Sequence, residues 1–384
     1  MNEKRVLIIS QVIPQWYVDI LTKALGKEAQ IDIITGSNIQ GNVIHSPNHD
    51  PKSLRSRLIS WYKHYQFMMR WVKENKKKSY NLVFAVSNPP INSFIGLKLK
   101  KIYNAPFVYM NWDLYPQVIE ETIGNPLARI VCKLWHRWNA KHYPKIDNIL
   151  TIGNVMADSM RRPLNSLIDV SVLPIAVNTE ILKPIEKKEN PFVTQYGLTN
   201  KFVVLYSGKM GMGHNIELIL DTAEILRNND EIQFVFIGFG PKYEVVNKFI
   251  KDHQSKNIQL LPLQPDDIFP YSMACGDVGI VTQETRMAHL FMPSKTYSMM
   301  ACGQAIIGIG TKHDDLHDLI THEGIGISIA EQSASVVARK IEELWRDTEM
   351  LEAYQKQSRK IAEEKYSIDV VQQRYAKLFY ELLE

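Results

Sequence analysis

The sequence predicts an α/β protein of two doubly wound units, and three observations carry that expectation. Short β-branched runs alternate with helical periodicity, the signature of βα units on a parallel sheet. The alternation occurs twice, before and after a charged run bracketed by prolines, KPIEKKENP at 183–191, which reads as a linker. The chain's 384 residues suit two domains, and hydrophobic residues at 45% supply a core for each.

In the first series, strands are expected at Arg5 to Ser10, Ile31 to Thr35, Leu82 to Val86, Phe107 to Asn111, Asn148 to Ile152 and Val170 to Leu173. Their uneven spacing leaves one excursion, Ile39 to Ser79, with a basic and aromatic helical stretch from Ser53 to Lys78. In the second series, strands are expected at Phe202 to Ser207, Ile232 to Ile237, Ile258 to Leu261, Val278 to Val281, Ala305 to Gly308 and Gly326 to Ile329. Residues from Ala334 to Glu384 read as helix. Such units take ligands at the carboxyl ends of their strands, here in a cleft between the two domains.

Composition removes several function classes. Cys132, Cys275 and Cys302 are far apart and form no CxxC or Cys/His cluster, so neither a disulfide framework nor a zinc site is expected, and a reducing, cytoplasmic setting follows. The opening MNEKRVLIIS has too short an apolar run for a secretory leader, and no apolar run is long enough to span a bilayer. Membrane contact, if any, is then peripheral. The net charge of +4 conceals an asymmetry: residues 1–190 carry 26 Lys+Arg against 15 Asp+Glu, a net +11, and residues 191–384 carry 19 against 26, a net −7. Such a split concerns partners, not fold.

The strongest local signal is VVLYSGKMGMGHNIELILDTAEIL, 203–226. A strand runs into Gly208, Gly211 and Gly213, and an amphipathic helix follows. Glycines admit a ligand close to the backbone, and free N–H groups at a helix start suit an anion. Phosphate is the natural guest, with Lys209 and His214 as added donors; a tight βα turn without a ligand is the other reading. FIGFGPKYE, 236–244, supplies Gly238 and Gly240 after a strand, but Tyr243 stands where a dinucleotide fingerprint has its third glycine. It reads better as a turn that closes a second loop on the same ligand than as a nicotinamide site. PSKTYSMMACGQAIIGIG, 293–310, opens a short helix at Pro293 and Ser294, with Ser294 a candidate N-cap. That puts Lys295 in a first helical turn, where the dipole disfavours a cation unless an anion compensates it; a solvated surface lysine is the plain alternative.

Taken together, SNPPINSFIGLKLKKIYNAPFVYMNWDLYPQVIEETIG, VSVLPIAVNTEILKP, YSGKMGMGH, IGFGPKYE, PSKTYSMMACG and SIDVVQQRYAKLFYELL resemble, in order, the retaining glycosyltransferases of the GT-B fold, glycosyltransferase family four. The PSK segment is similar to a subgroup of capsule, O-antigen and exopolysaccharide enzymes. The resemblance implies two Rossmann-like domains facing each other across a cleft: an acceptor-side domain at 1–185, a nucleotide-sugar domain at 186–366, and a final helix at 367–384 returning to the first. It implies transfer of a sugar from a nucleoside diphosphate sugar, a UDP-sugar, to a hydroxyl of a lipid-linked or saccharide acceptor, with retention. No metal or other cofactor is implied, since basic side chains and helix ends stabilise the departing diphosphate.

Carried over by position, Asp113, Lys209 and Lys295 are the expected catalytic groups. Gly208, Gly211, Gly213, His214, Gly240, Glu284, Pro293, Ser294, Thr296, Tyr297 and Ser298 are expected around the donor. Lys209 stands where the family has an arginine, and His214 replaces its lysine, which makes a charge there depend on pH. The family's two glutamates fall on Leu290 and Ser298, so Glu284 is the remaining carboxylate for sugar hydroxyls. Asp113 suits either the acceptor hydroxyl, the donor sugar or a helix cap, and the loop Gln11 to Trp16 borders the cleft without an assigned role. The missing glutamates keep two alternatives open, a nucleotide-sugar 2-epimerase and an inactive partner protein.

Lys52 to Lys78 mixes ten Lys, Arg and His residues with aromatics. Trp61, Lys63, Arg70, Trp71, Lys76, Lys77 and Lys78 are expected on an acceptor or membrane side, against anionic lipid at the inner face of the cell membrane. An aromatic core stripe beneath solvated charges is the alternative, and no nucleic-acid module is present.

Overall fold

The computed structural model describes residues 4–123, 125–162 and 168–384 and divides into two compact units, Met1–Pro174 with Asp369–Glu384, and Ile175–Ile368. Residues 1–3 at the start of the leader reading, and Gly124 in the first resemblance segment, lie outside the described residues.

The first unit runs β1 (Lys4–Ile9), α1 (Gln15–Leu25), β2 (Ala29–Thr35), β3 (Val43–His45), α2 (Leu54–Glu74), β4 (Leu82–Val86), α3 (Asn92–Tyr103), β5 (Phe107–Asn111), α4 (Gln117–Ile123), α5 (Pro126–His142), β6 (Asn148–Thr151), α6 (Asn154–Arg161) and β7 (Val170–Val172). Its seven strands are parallel in the order β3-β2-β1-β4-β5-β6-β7. Strands β4 and β5 are buried throughout, which is why they read as unbroken apolar runs. Gly96 lets α3 lie directly on β5, because a Cβ there would stand 2.1 Å from the Phe107 ring. The edge strand β3 has no counterpart in the sequence reading; three half-exposed residues are too few for a period to show.

The excursion is pinned from inside. Ser53 caps α2 by accepting from Ser56 N–H. One turn further, Gln11 donates to the carbonyls of Pro47 and Ser60, and buried His64 lies between Ser46 Oγ and Asn92 Oδ1, 3.1 Å from each. Gln11, read as cleft border, thus ties the first strand's loop to α2.

The second unit runs α7 (Pro191–Gln195), β8 (Phe202–Lys209), α8 (Ile216–Ile225), β9 (Ile232–Phe239), α9 (Tyr243–His253), β10 (Ile258–Pro262), α10 (Phe269–Met273), β11 (Val278–Thr282), α11 (Lys295–Ala301), β12 (Ala305–Ile309), α12 (Asp315–Glu323), β13 (Gly326–Ile329), α13 (Ala334–Arg346) and α14 (Thr348–Ile361). Its six parallel strands follow the order β10-β9-β8-β11-β12-β13, so the winding reverses between β8 and β11. α15 (Ile368–Leu383) ends the chain and belongs, from Asp369 on, to the first unit. There Tyr375 and Phe379 are buried against Phe84, and the Tyr375 hydroxyl meets that of Tyr17 at 2.7 Å.

The division falls after Pro174, not at 185, and the expected linker is part of the second unit. Its charges mislead because one has a partner: Lys187 pairs with Asp277 at 2.5 Å, while buried Asn190 caps α7 and donates to the Tyr271 carbonyl.

Candidate functional site

The winding reversal of the second unit lies between β8 and β11, and a crevice outside the carboxyl ends of such strands is where this architecture takes ligands. The segments expected to bind an anion emerge there. Gly208, at the end of β8, has φ +121°, which a side chain would strain. The turn lies against Lys295: a methyl on Gly208 would stand 3.4 Å from Lys295 Cε.

Lys295 is the unusual group. Part of its stem is accessible, but Nζ is sealed, has no hydrogen-bond partner from the protein, and stands 3.6 Å from the centroid of the Tyr206 ring. Burial lowers its pKa to about 7. A solvated surface lysine is thereby ruled out. Three more buried polar atoms without protein partners are Thr282 Oγ1 at the end of β11, Gln283 Oε1 just after it and Thr296 Oγ1 on α11. An unmade hydrogen bond costs about 1–3 kcal/mol, so each of these atoms lacks a partner that the protein does not supply.

The second glycine pair supports the first backbone to backbone. A Cβ on Gly238 would fall 1.9 Å from the Gly208 carbonyl oxygen, and one on Gly240 would fall 2.6 Å from that of Met210. Met210 N–H donates to the Phe239 carbonyl at 2.7 Å, and Lys242 N–H to that of Met210 at 3.1 Å. Gly240, expected at the donor, is therefore seen supporting the loop. Lys242, which the sequence did not single out, is nearly buried and spans from the His214 carbonyl to Glu217. Nothing in its local sequence distinguishes it from a surface lysine.

His214 differs from the expectation. Its Nδ1 lies 2.9 Å from the Thr282 carbonyl, which only accepts, so Nδ1–H is the donor and Nε2 is left an acceptor. Burial, then the neighbouring Lys295, lowers its pKa to about 4. The ring is thus neutral near pH 7 and does not replace a lysine's charge; its hydrogen bond joins the glycine loop to β11.

Glu284 is half-buried, and its N–H donates to the Gly213 carbonyl at 2.9 Å. The turn that follows covers the loop, with Met287 and Phe291 in van der Waals reach of Gly213. Gly211 is buried beside the His214 ring. Lys209 is exposed at the end of β8, and Tyr206 donates its hydroxyl proton to the Lys209 carbonyl.

On α11 the expected residues separate. Pro293 and Thr296 are buried and Ser294 is exposed; Ser294 has helical dihedrals and no side-chain capping bond, contrary to its reading as N-cap. Tyr297 is buried with its ring 4.7 Å from that of Tyr366, so it belongs to the packing beneath the helix and not to the crevice. Helical geometry explains this, since residues two apart face opposite sides, whereas Ser298 shares the Lys295 side. Leu290 is wholly buried.

In the first unit, Asp113 is exposed just after β5, close enough to Tyr115 that its charge helps raise the phenol's pKa, after burial. Of the residues expected on the acceptor or membrane side, Lys63 and Arg70 are exposed on α2, and Lys76 and Lys77 are exposed just beyond it. Trp61 is half-buried. Trp71 is buried against Tyr80, with Lys78 Nζ 5.6 Å over its ring, so both the tryptophan and that lysine face the fold; α2 buries the Met68, Trp71 and Val72 side because it must cover the sheet. Among the described residues, no three His, Cys, Asp or Glu side chains are grouped to hold a metal ion, and no helix is long and apolar enough to cross a membrane.

Comparison with known proteins agrees with this layout. The family described as Glycosyl transferases group 1 matches residues 189–361, the segment containing the glycine loop and Lys295. A Pseudomonas aeruginosa protein named as a glycosyltransferase, WbjE, is 25% identical over 77% of this chain and 74% of its own. An Escherichia coli protein named as a colanic acid biosynthesis glycosyl transferase, WcaI, is 28% identical over 37% of this chain and 35% of its own. The crystal structure of Anabaena HepE with UDP-glucose superposes with a TM-score of 0.71 at 14% identity, covering 98% of this chain and all of that one. Residues 189–361 are therefore a group 1 glycosyltransferase domain, carried in a chain whose two parallel-sheet units are those of the GT-B fold.

Proposed function

We propose that the chain transfers a sugar from a nucleoside diphosphate sugar, a UDP-sugar, to a hydroxyl of a lipid-linked or saccharide acceptor in bacterial surface-polysaccharide synthesis, with retention and without a metal ion. The observation that carries the donor half is Lys295 Nζ, buried without a protein partner under the Gly208 turn. A diphosphate there gives the amine a counter-ion and a hydrogen bond together, and charge-assisted hydrogen bonds are about twice as strong as neutral ones. As the sugar–oxygen bond breaks, negative charge grows on the diphosphate, and Lys295 with exposed Lys209 stabilises it without rearranging. Thr282, Thr296 and Glu284 are the proposed partners for ligand hydroxyls, and Asp113 the group that orients the acceptor hydroxyl. HepE, solved with UDP-glucose, supports the choice of base, and WcaI, named for colanic acid synthesis, the choice of pathway class. The lipid-linked acceptor accounts for the basic first half, and places the protein peripherally at the inner membrane face.

The test incubates the protein with radiolabelled UDP-sugars, with and without lipid extracts, with and without a chelator, and assigns the anomer of the product by NMR. Label moving to lipid or saccharide supports the reading. An epimerised UDP-sugar without acceptor would assign the 2-epimerase instead, and UDP that neither binds nor turns over would leave an inactive partner protein.

A further inference from the structure

The first unit carries an apolar surface that its own fold does not explain. On α5, Leu127, Ile130, Val131 and Leu134 are each more than half exposed, and their spacing makes one stripe along the helix. On α2, Leu58, Ile59 and Tyr62 are exposed as well. Apolar surface gathered this way marks a contact rather than the scattered exposure normal for a soluble protein.

Between these helices lies a cavity of about 500 Å³. Leu58, Trp61 and Tyr62 of α2, Phe94 of α3, and Trp135 and Trp138 of α5 line it, almost wholly with apolar atoms. The walls are held by aromatic contacts: Trp135 stacks on Tyr115, which meets Trp61 edge-on, and Phe94 packs against Trp138. A sugar or nucleotide would lose its hydrogen bonds to water here and regain few.

Charge selects the occupant. Residues 52–74 and 126–142 hold Lys52, Arg55, Arg57, Lys63, Arg70, Lys73, Arg129, Lys133, Arg137 and Lys141, against one acid, Glu74 at the end of α2. All ten except Arg57 are exposed. A second copy of the same face would bring like charges together, whereas an anionic lipid surface gains about 1 kcal/mol for each cation near it. Apolar side chains flanked by cations, with tryptophans at the margin, match a bilayer's boundary.

We propose that the face built by α2 and α5 docks on an anionic lipid bilayer, and that the aromatic cavity between them receives a hydrocarbon chain of a lipid from that bilayer. Leu127, Ile130, Val131 and Leu134 enter the acyl region while the lysines and arginines hold headgroup phosphates. This deepens the reading of a lipid-linked acceptor and rests on it for the purpose of the cavity; docking itself stands on the surface alone.

The test uses the full chain with vesicles of phosphatidylcholine, pure or containing about one-third phosphatidylglycerol. Flotation measures docking, and tryptophan quenching by lipids brominated along their acyl chains reports chain entry. UDP affinity, measured in the same samples, reports separately on the donor half. The expected result is docking at least about tenfold stronger on the anionic vesicles and weakened by salt, with bromine quenching. Ile130→Glu with Leu134→Glu, both at exposed positions, should lower docking about tenfold or more with UDP affinity unchanged. Trp135→Phe with Trp138→Phe should keep docking and lose much of the quenching. Absence of docking on anionic vesicles, docking indifferent to the two glutamates, or docking without quenching would overturn the proposal. So would a dimer in sedimentation that Leu134→Glu dissolves while no vesicle binding occurs.

Discussion

Lys295 Nζ rests 3.6 Å from the centre of the Tyr206 ring, beneath the Gly208 turn, with no hydrogen bond from the protein. The ring's negative face is a weaker partner than a carboxylate, giving about 0.5–2 kcal/mol or somewhat more when desolvated, so it holds the amine in place without supplying a counter-ion. This leaves its charge available to an incoming anion, and it makes binding, stability and pH separable measurements at one residue.

Lys295→Met should weaken UDP binding about 10- to 100-fold, the range for a lost hydrogen bond between charged groups. The same change should leave the unliganded protein as stable or more so, because an apolar side chain of similar length fills the space without a buried amine. Calorimetric titration with UDP and thermal unfolding of the free protein check the pair. Weaker binding accompanied by a large loss of stability would instead assign Lys295 a structural role.

Donor binding should take up a proton. The free amine has its pKa lowered to about 7, and a bound diphosphate favours the charged form. At about pH 8 binding should absorb a fraction of a proton, at about pH 6 almost none, and affinity should fall as pH rises through 7. Titration in two buffers of different ionisation enthalpy reads this directly. Without ligand, the unfolded chain binds more protons at Lys295 between about pH 7 and 10.5, so this group makes stability rise with pH over that window, and Lys295→Met removes the rise.

Two histidines act at lower pH. His64 and His214 both have pKa values lowered to about 4, chiefly by burial. The unfolded chain binds more protons than the folded one between about pH 4 and 6.5, so stability from these sites is full above 6.5 and declines as pH falls toward 4. Urea midpoints measured across that range should fall, and His214→Gln should fall less steeply. His64→Ala should cost about 1–3 kcal/mol even at neutral pH, because Ser46 and Asn92 lose their partner.

The glycines at the strand ends should not be equivalent. Gly238→Ala places a methyl 1.9 Å from a carbonyl oxygen at φ +151°, and about 2–4 kcal/mol of destabilisation is expected. Gly213→Ala meets only Met287 and Phe291 side chains at ordinary distance and should fold normally. Chemical denaturation of both variants checks the contrast.

The closing helix should be indispensable to the first unit. Phe379→Ala is expected to cost about 3–5 kcal/mol, since its ring is buried against Phe84 and Tyr375. Hydrogen exchange should show the loss in β1, β4 and α1, and not in the second unit.

The strand series and the glycine loop are legible in the sequence alone, because parallel strands and βα turns are local patterns: Leu82–Val86, Phe107–Asn111 and Gly326–Ile329 can be read to the residue. The sequence also placed Lys209 and His214 beside the glycine loop and Lys295 in a first helical turn. Only the tertiary structure decided what each side chain is. His214 is neutral because burial and the neighbouring Lys295 hold it so, Tyr297 faces Tyr366 because the helix turns it there, and Trp71 faces the sheet while Leu134 faces water. Charge state, burial and partner depend on groups far away in the chain, and no spacing along one segment encodes them.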